Sequence, residues 1–359
     1  MKIDAINFYK GVAILMVLMI HTSQCFNLIE PFASITKFGD LGCQVFYTIS
    51  AFCLCLTFEN RKESYLAFLK RRIKKIAPGY WLTIVVSVSL ALSSICAFGR
   101  NLFNISLKPF DIGANIALLN GLCPQSANNQ VIRGGWYIGT LVILYALFPL
   151  IYSFYKRIKI NTWLAFLLCV AVFLLNFFFW QVVDELHIPK LYFQRTDFFY
   201  FSFINQLPSF ALGMYMYSLF ISDSSSQHPK AYCYPMFILT FGLLVLFKYG
   251  GYEYRGTLTP YLMGLSFVYL FELTRRLLKW NSIVKGALMK VGEKSYGMYL
   301  LNTFVAWECG ALLHKVFAGY VDENLLYLIW FPIAAAILYL MGNYYEKLIN
   351  LFSKLIFKL

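Results

Sequence analysis

Apolar runs of about 20 residues recur along this chain, and that is the length a helix needs to cross a bilayer. They fall at about 8–26, 40–58, 77–98, 136–155, 162–182, 200–221, 232–249, 259–274, 295–314 and 325–344. The expected fold class is therefore all-α, a polytopic membrane helical bundle of about ten transmembrane helices. Of the 359 residues, 60% are hydrophobic and 13% are charged, whereas a soluble domain carries about 25% charged residues. A single integral membrane domain over 1–359 is expected, with no appended soluble domain.

The formal charge of +14 could suggest a nucleic-acid partner. The cations lie between the apolar runs rather than on one soluble face, so no nucleic acid is expected. With the N-terminus in the cytoplasm, about 22 of the 31 Lys and Arg residues fall inside. That bias predicts both termini cytoplasmic, since an odd number of spans would break it. The first run has the basic start of a secretory signal, but no A-x-A-like site follows, so it is expected to stay uncleaved. The nine cysteines have no metal-ligand spacing, and no metal is expected. Cys25, Cys43, Cys96 and Cys123 lie near outer span ends and could pair in an oxidising compartment. Small apolar filler is the plainer reading for most of them.

Two residues in the first run carry chemistry. Lys10 stands at its near end and His21 near its far end, eleven residues on. On a helix those steps bring the two within roughly 20° of one face and roughly 16 Å apart along the axis. A cation and an imidazole on one stripe of a membrane helix are costly unless something uses them. A packed histidine bonded to a neighbouring helix is the bland alternative. The functional one is a general base, since neutral imidazole can take a proton from an alcohol near neutral pH. Of the other histidines, His187 and His228 lie in loops and His314 near the end of a span.

Two connections stand out. From Glu59 to Ala77 the chain reads ENRKESYLAFLKRRIKKIA, a basic cytoplasmic loop whose second half could be an amphipathic helix leading into the third span. Pro78 suits a helix start or kink there. Arg71, Arg72 and Lys75 could hold the phosphates of a nucleotide-like cofactor through charge-assisted bonds, or simply serve orientation and lipid phosphates. From Gly99 to Gly135 the outer connection holds Asn101, Asn104, Asp111, Asn115, Asn120, Gln125, Asn128, Asn129 and Gln130. That polarity suits either a hydroxyl-rich ligand or plain solvation. No internal repeat, phosphate loop, Gly-x-Ser-x-Gly elbow or HExxH motif is present.

Over nearly its whole length the chain resembles the membrane-bound acyltransferase family three, the bacterial surface-polysaccharide O-acetyltransferases. The family's Arg-x10-His signature falls on Lys10 and His21, and its preceding Asp on Asn7. Its G-V-x-x-F-F-x-x-S-G-F pattern matches Gly42 to Phe52, with Ser50 kept, and its R-R-x-x-R-I-x-P element matches Arg71 to Pro78. Its W-x-L-x-x-E-x-x-x-Y-x-x-x-P element matches Trp136, Ile138, Tyr145 and Pro149, and Pro-x-F-x-x-G matches Pro208, Phe210 and Gly213. Its S-Y-x-x-Y-L-x-H element matches Ser295 to Asn302. Lys replaces Arg at position 10, which keeps the charge and loses bidentate geometry. Asn7 replaces a carboxylate, Leu141 stands at the usual Glu position and Asn302 replaces His.

The resemblance implies transfer of an acetyl or other short acyl group from acyl-CoA to a hydroxyl of a surface polysaccharide or lipid-linked sugar, in the bacterial inner membrane. It implies His21 as general base with Lys10 beside the reaction path. Arg71, Arg72, Lys75 and Asn7 are implied as the acetyl-CoA site, and Ser50, Trp136, Tyr145 and Asn302 as acceptor contacts. Membrane lipid, acyl-CoA and the glycan acceptor are the implied partners. A transporter or translocator of a lipid-linked glycan, with Lys10 and His21 on a ligand path, is the alternative. A non-catalytic membrane assembly protein is the third reading.

Overall fold

The computed structural model describes residues 4–58, 61, 63–123, 130–158, 162–185, 200–222, 231–251, 255–275 and 282–357. These are helical, with no strand among them. In chain order the helices are α1 (Asp4–Ser23), α2 (Phe32–Lys37), α3 (Gly42–Phe58), α4 (Tyr65–Phe98), α5 (Pro109–Ile116), α6 (Trp136–Ile158) and α7 (Thr162–Glu185). Then come α8 (Phe203–Ser222), α9 (Cys233–Tyr249), α10 (Arg255–Thr274), α11 (Ile283–Glu293), α12 (Ser295–Asn302), α13 (Gly310–Phe317) and α14 (Glu323–Phe357). A 3-10 turn (Phe38–Leu41) joins α2 to α3, and a π-helical segment (Thr303–Cys309) joins α12 to α13.

Each of the ten predicted runs coincides with helix. Five helical stretches are long and apolar enough to cross a membrane among the described residues: α1, the α2–α3 unit, α4, α6 and α14. The helix α9 is apolar but only 17 residues long. The basic connection before the third span is mostly helix. Its second half is the first turns of α4, which begin at a Ser64 cap accepting from the Ala67 amide. Pro78 lies inside α4 rather than at its start. A proline there removes one helical bond, to the carbonyl four residues back, without ending the helix.

The helix α1 is the hub, packed against α3, α11, α12, the π segment and α14. Its contact with α11 is backbone on backbone. A Cβ on Gly11 would come within 2.1 Å of the Leu288 carbonyl oxygen, and one on Gly292 within 1.8 Å of that of Asn7. Around this hub α3 packs on α8 and α10, and α9 on α10. Two interior polar pairs cross between helices: Gln44 donates to Gln206 at 3.1 Å, and Thr48 to the Ser209 carbonyl at 3.0 Å. In a medium without water such groups need a protein partner. The outer faces remain apolar, with Val85, Leu92, Leu150, Ile238 and Leu340 exposed, as suits contact with lipid. All nine cysteines are free, so the pairing considered for Cys25, Cys43, Cys96 and Cys123 does not form.

Candidate active site: two chambers along one helix

The eleven-residue spacing on α1 delivers Lys10 and His21 to different cavities. His21 borders a chamber of about 670 Å³ at one end of the bundle. Lys10 borders a second, of about 510 Å³, toward the other end. Each is within the usual size range of small-molecule sites.

In the His21 chamber the ring is oriented by its own helix. Nδ1 lies 3.3 Å from Gln24 Oε1. With the hydrogen on Nδ1, the ring donates to that carboxamide oxygen and Nε2 is the nitrogen left with a lone pair. Arg133, just before α6, also faces this chamber. Its guanidinium donates to Glu308 at 3.0 Å and to the Phe103 carbonyl at 3.3 Å, and lies over the Trp307 ring at 4.7 Å. The π segment supplies Trp307 and Thr303. A wider π turn is a common way to re-aim side chains at functional positions. Asp40, ion-paired with Lys248, and Trp136, stacked on Phe201, complete the wall. The chamber thus combines aromatic faces, hydrogen-bond donors and acceptors, and an imidazole.

In the other chamber Lys10 meets Lys75 and Asn7, with Tyr145 and Leu141 on the wall. Among the described residues no carboxylate lies within ion-pair distance of Lys10 or Lys75, although Glu346, paired with Lys294 at 3.0 Å, stands on the same wall. Arg72 is drawn inward instead. It donates to Thr57 at 3.1 Å and lies over the Phe68 and Tyr145 rings. Arg71 is ion-paired with Glu63, and its hydrogen bonds hold the Glu63 carboxyl below the usual carboxylate range. So Lys75 reaches the chamber, while Arg71 and Arg72 stand beside it.

Of the remaining candidates, Trp136 lies in the His21 chamber and Tyr145 in the Lys10 chamber. Ser50 sits against the hydroxyls of Tyr137 and Tyr145, between the two. Asn302 is buried behind the wall and donates to the Tyr299 carbonyl at 2.6 Å. His314 pairs with Glu323 at 2.9 Å, away from both chambers. His187 and His228 lie outside the described residues. In the outer connection Asn101, Asp111, Asn115 and Asn120 hold the fold: Tyr80 donates to Asn115 at 2.6 Å, and Asn120 to the Gly135 carbonyl at 3.0 Å. Of the amides and the carboxylate singled out in that connection, Asn104 and Gln130 border the His21 chamber; Gln125, Asn128 and Asn129 lie outside the described residues. No group of three or more metal-ligating side chains occurs among the described residues.

The acyltransferase family 3 model, described as an acyltransferase domain, matches residues 3–345. The chain belongs to that family. It is an acyltransferase, and its apolar helices make it an integral membrane protein. No curated protein and no solved structure gave a match. Sequence reasoning on this acyltransferase missed Arg133, Asp40, Trp307 and Tyr299. Gln24 was within reach of it, because a residue three positions after His21 shares its face.

Proposed function

We propose that this acyltransferase moves an acetyl or other short acyl group from acyl-CoA to a hydroxyl of a surface polysaccharide or lipid-linked sugar, with His21 as general base. The observation that carries the reading is the single helix α1, with a cation at one chamber and an imidazole at the other. Lys10 and Lys75, with no carboxylate in ion-pair distance among the described residues, suit the phosphates of acetyl-CoA. Asn7, Arg71 and Arg72 flank that site. The pantetheine arm then lies along α1 toward His21, over roughly 16 Å.

The acceptor enters the His21 chamber and stacks on Trp136. Nε2 of His21 takes the hydroxyl proton as the oxygen attacks the thioester carbon. The new C–O bond forms, the C–S bond breaks, and the proton passes from the imidazolium to the leaving sulfur, giving an ester and free CoA. Ser50, Tyr145 and Asn302 support the path from the side rather than touching the acceptor directly. The basic-residue bias supports ten spans with both termini in the cytoplasm, which puts the Lys10 chamber on the side where acetyl-CoA is made. The setting is a bacterial inner membrane.

The test is acyl content of the cell-surface glycans, with membrane levels of each variant matched. His21→Ala is expected to insert normally and to lower acylation by about 10² or more, the scale of a lost positioned base. Lys10→Arg is expected to keep activity and Lys10→Ala to lose it. Near-normal acylation by His21→Ala would sink this mechanism.

A further inference from the structure

The two chambers abut at one ring. Tyr299 borders both. Its hydroxyl donates to the Gly134 carbonyl at 2.6 Å, and its ring packs on Tyr137 with centroids 5.0 Å apart. Tyr137 packs in turn on Tyr47 at 4.8 Å, and the buried Tyr47 donates to the Tyr137 carbonyl at 3.3 Å. Gly134 has φ of +78°, a backbone region open to glycine and strained for other residues. That turn presents the carbonyl that latches Tyr299.

We propose that Tyr299 determines which acyl groups this chain transfers, by setting the width of the passage between the Lys10 chamber and His21. The inference rests on the acyltransferase reading above. The charged nucleotide of CoA stays at the Lys10 chamber, so the acyl group and the thiol end of the pantetheine arm are what reach the ring. Tyr47 and Tyr137 are tied to each other's segments. Tyr299 is held across the partition by its bond to the Gly134 carbonyl and lies against Cys43, and its ring is the one side chain that borders both chambers among the described residues. An acetyl group needs a small displacement of the ring, and each further methylene needs more. A filled apolar site discriminates against one extra methylene by about tenfold or more. The group that passes leaves sulfur for the acceptor oxygen, and the hydroxyl proton reaches sulfur by way of His21.

Cys43 reports on the passage, because it borders the His21 chamber beside Tyr299. In reconstituted protein with Cys43 as its only cysteine, a small membrane-impermeant methanethiosulfonate is supplied from the Lys10 face. Tyr299→Ala is expected to raise the labelling rate about tenfold or more; should it fail to fold, Tyr299→Leu takes its place. A second readout is His21-dependent CoA release from acetyl-, butyryl- and octanoyl-CoA, with water as acceptor. The wild type is expected to favour acetyl over butyryl, two methylenes longer, by about a hundredfold or more, and over octanoyl by at least as much. Tyr299→Ala should cut that preference about tenfold, and Tyr299→Phe, which keeps the ring, should retain it. An unchanged chain-length preference in Tyr299→Ala, or unchanged Cys43 labelling, overturns the proposal. If the wild type releases CoA from none of the three, water does not serve as acceptor, and the labelling alone decides whether Tyr299 closes the passage.

Discussion

At the residue scale, the three cations before the third span are not equivalent. Arg71 is engaged by Glu63, and Arg72 by Thr57 and two rings, whereas Lys75 opens onto the chamber beside Lys10. Binding a phosphate through Arg71 first requires breaking an existing ion pair, so its net contribution is small. Lys75→Ala is therefore expected to weaken acetyl-CoA binding by about 1.5–3 kcal/mol, the range for a hydrogen bond to a charged group. Arg71→Ala is expected to cost less than about 1 kcal/mol, as for a partly exposed pair. Titration of acetyl-CoA into purified protein measures both. Equal losses in the two variants would show that the phosphates do displace Glu63. The sequence presents the three as one basic run, because helical spacing carries no information about which carboxylate or ring each will meet.

At the scale of elements, the pair on α1 was legible because both residues lie on one helix, where a fixed rise and rotation per residue place them. The rest of the His21 chamber was not. Asp40, Arg133 and Trp307 come from segments far apart in sequence, and no periodicity relates them. The π segment is equally silent, since one wider turn leaves the apolar pattern intact. In the outer connection, composition could not separate Asn115 and Asn120, which build the loop, from Asn104 and Gln130, which face the chamber. The α1–α11 crossing yields a sharp comparison. Gly292→Ala forces a methyl group into the Asn7 backbone and is expected to destabilise by about 1–3 kcal/mol, as overpacking does. It should also lower activity, because the displaced helix carries Lys10. Gly286→Ala, on the same α11 with open space around its Cβ position, is expected to be neutral or to stabilise by up to about 1 kcal/mol. Thermal unfolding in one detergent distinguishes them, and equal melting temperatures would deny the tight crossing.

At the scale of the whole molecule, α1 and α14 run antiparallel. The far end of α1 meets the start of α14, where the Asn27 amide donates to Glu323 at 3.4 Å and Phe26 packs on Tyr327. Toward its other end α14 carries Glu346 and Asn350 on the wall of the Lys10 chamber. Both described chain ends therefore lie at the Lys10 end of the bundle. The same end carries two over-long helices. With 34 and 35 residues, α4 and α14 extend about 50 Å at 1.5 Å per residue, whereas the hydrocarbon core is about 30 Å thick. They project together: Trp81 lies against Phe357, and the Lys74 ammonium stands 5.1 Å from the centre of the Phe357 ring. The projecting turns hold Lys70, Arg71, Lys74, Lys347 and Lys354, and such clusters are retained on the cytoplasmic side. Single cysteines placed at Lys70 and at Lys354 are thus expected to react with an impermeant maleimide only after the inner face is exposed. Labelling of either from outside intact cells would reverse the orientation. It would also move the Lys10 chamber away from the acetyl-CoA pool, so this one measurement bears on the topology and on the direction of acyl transfer together.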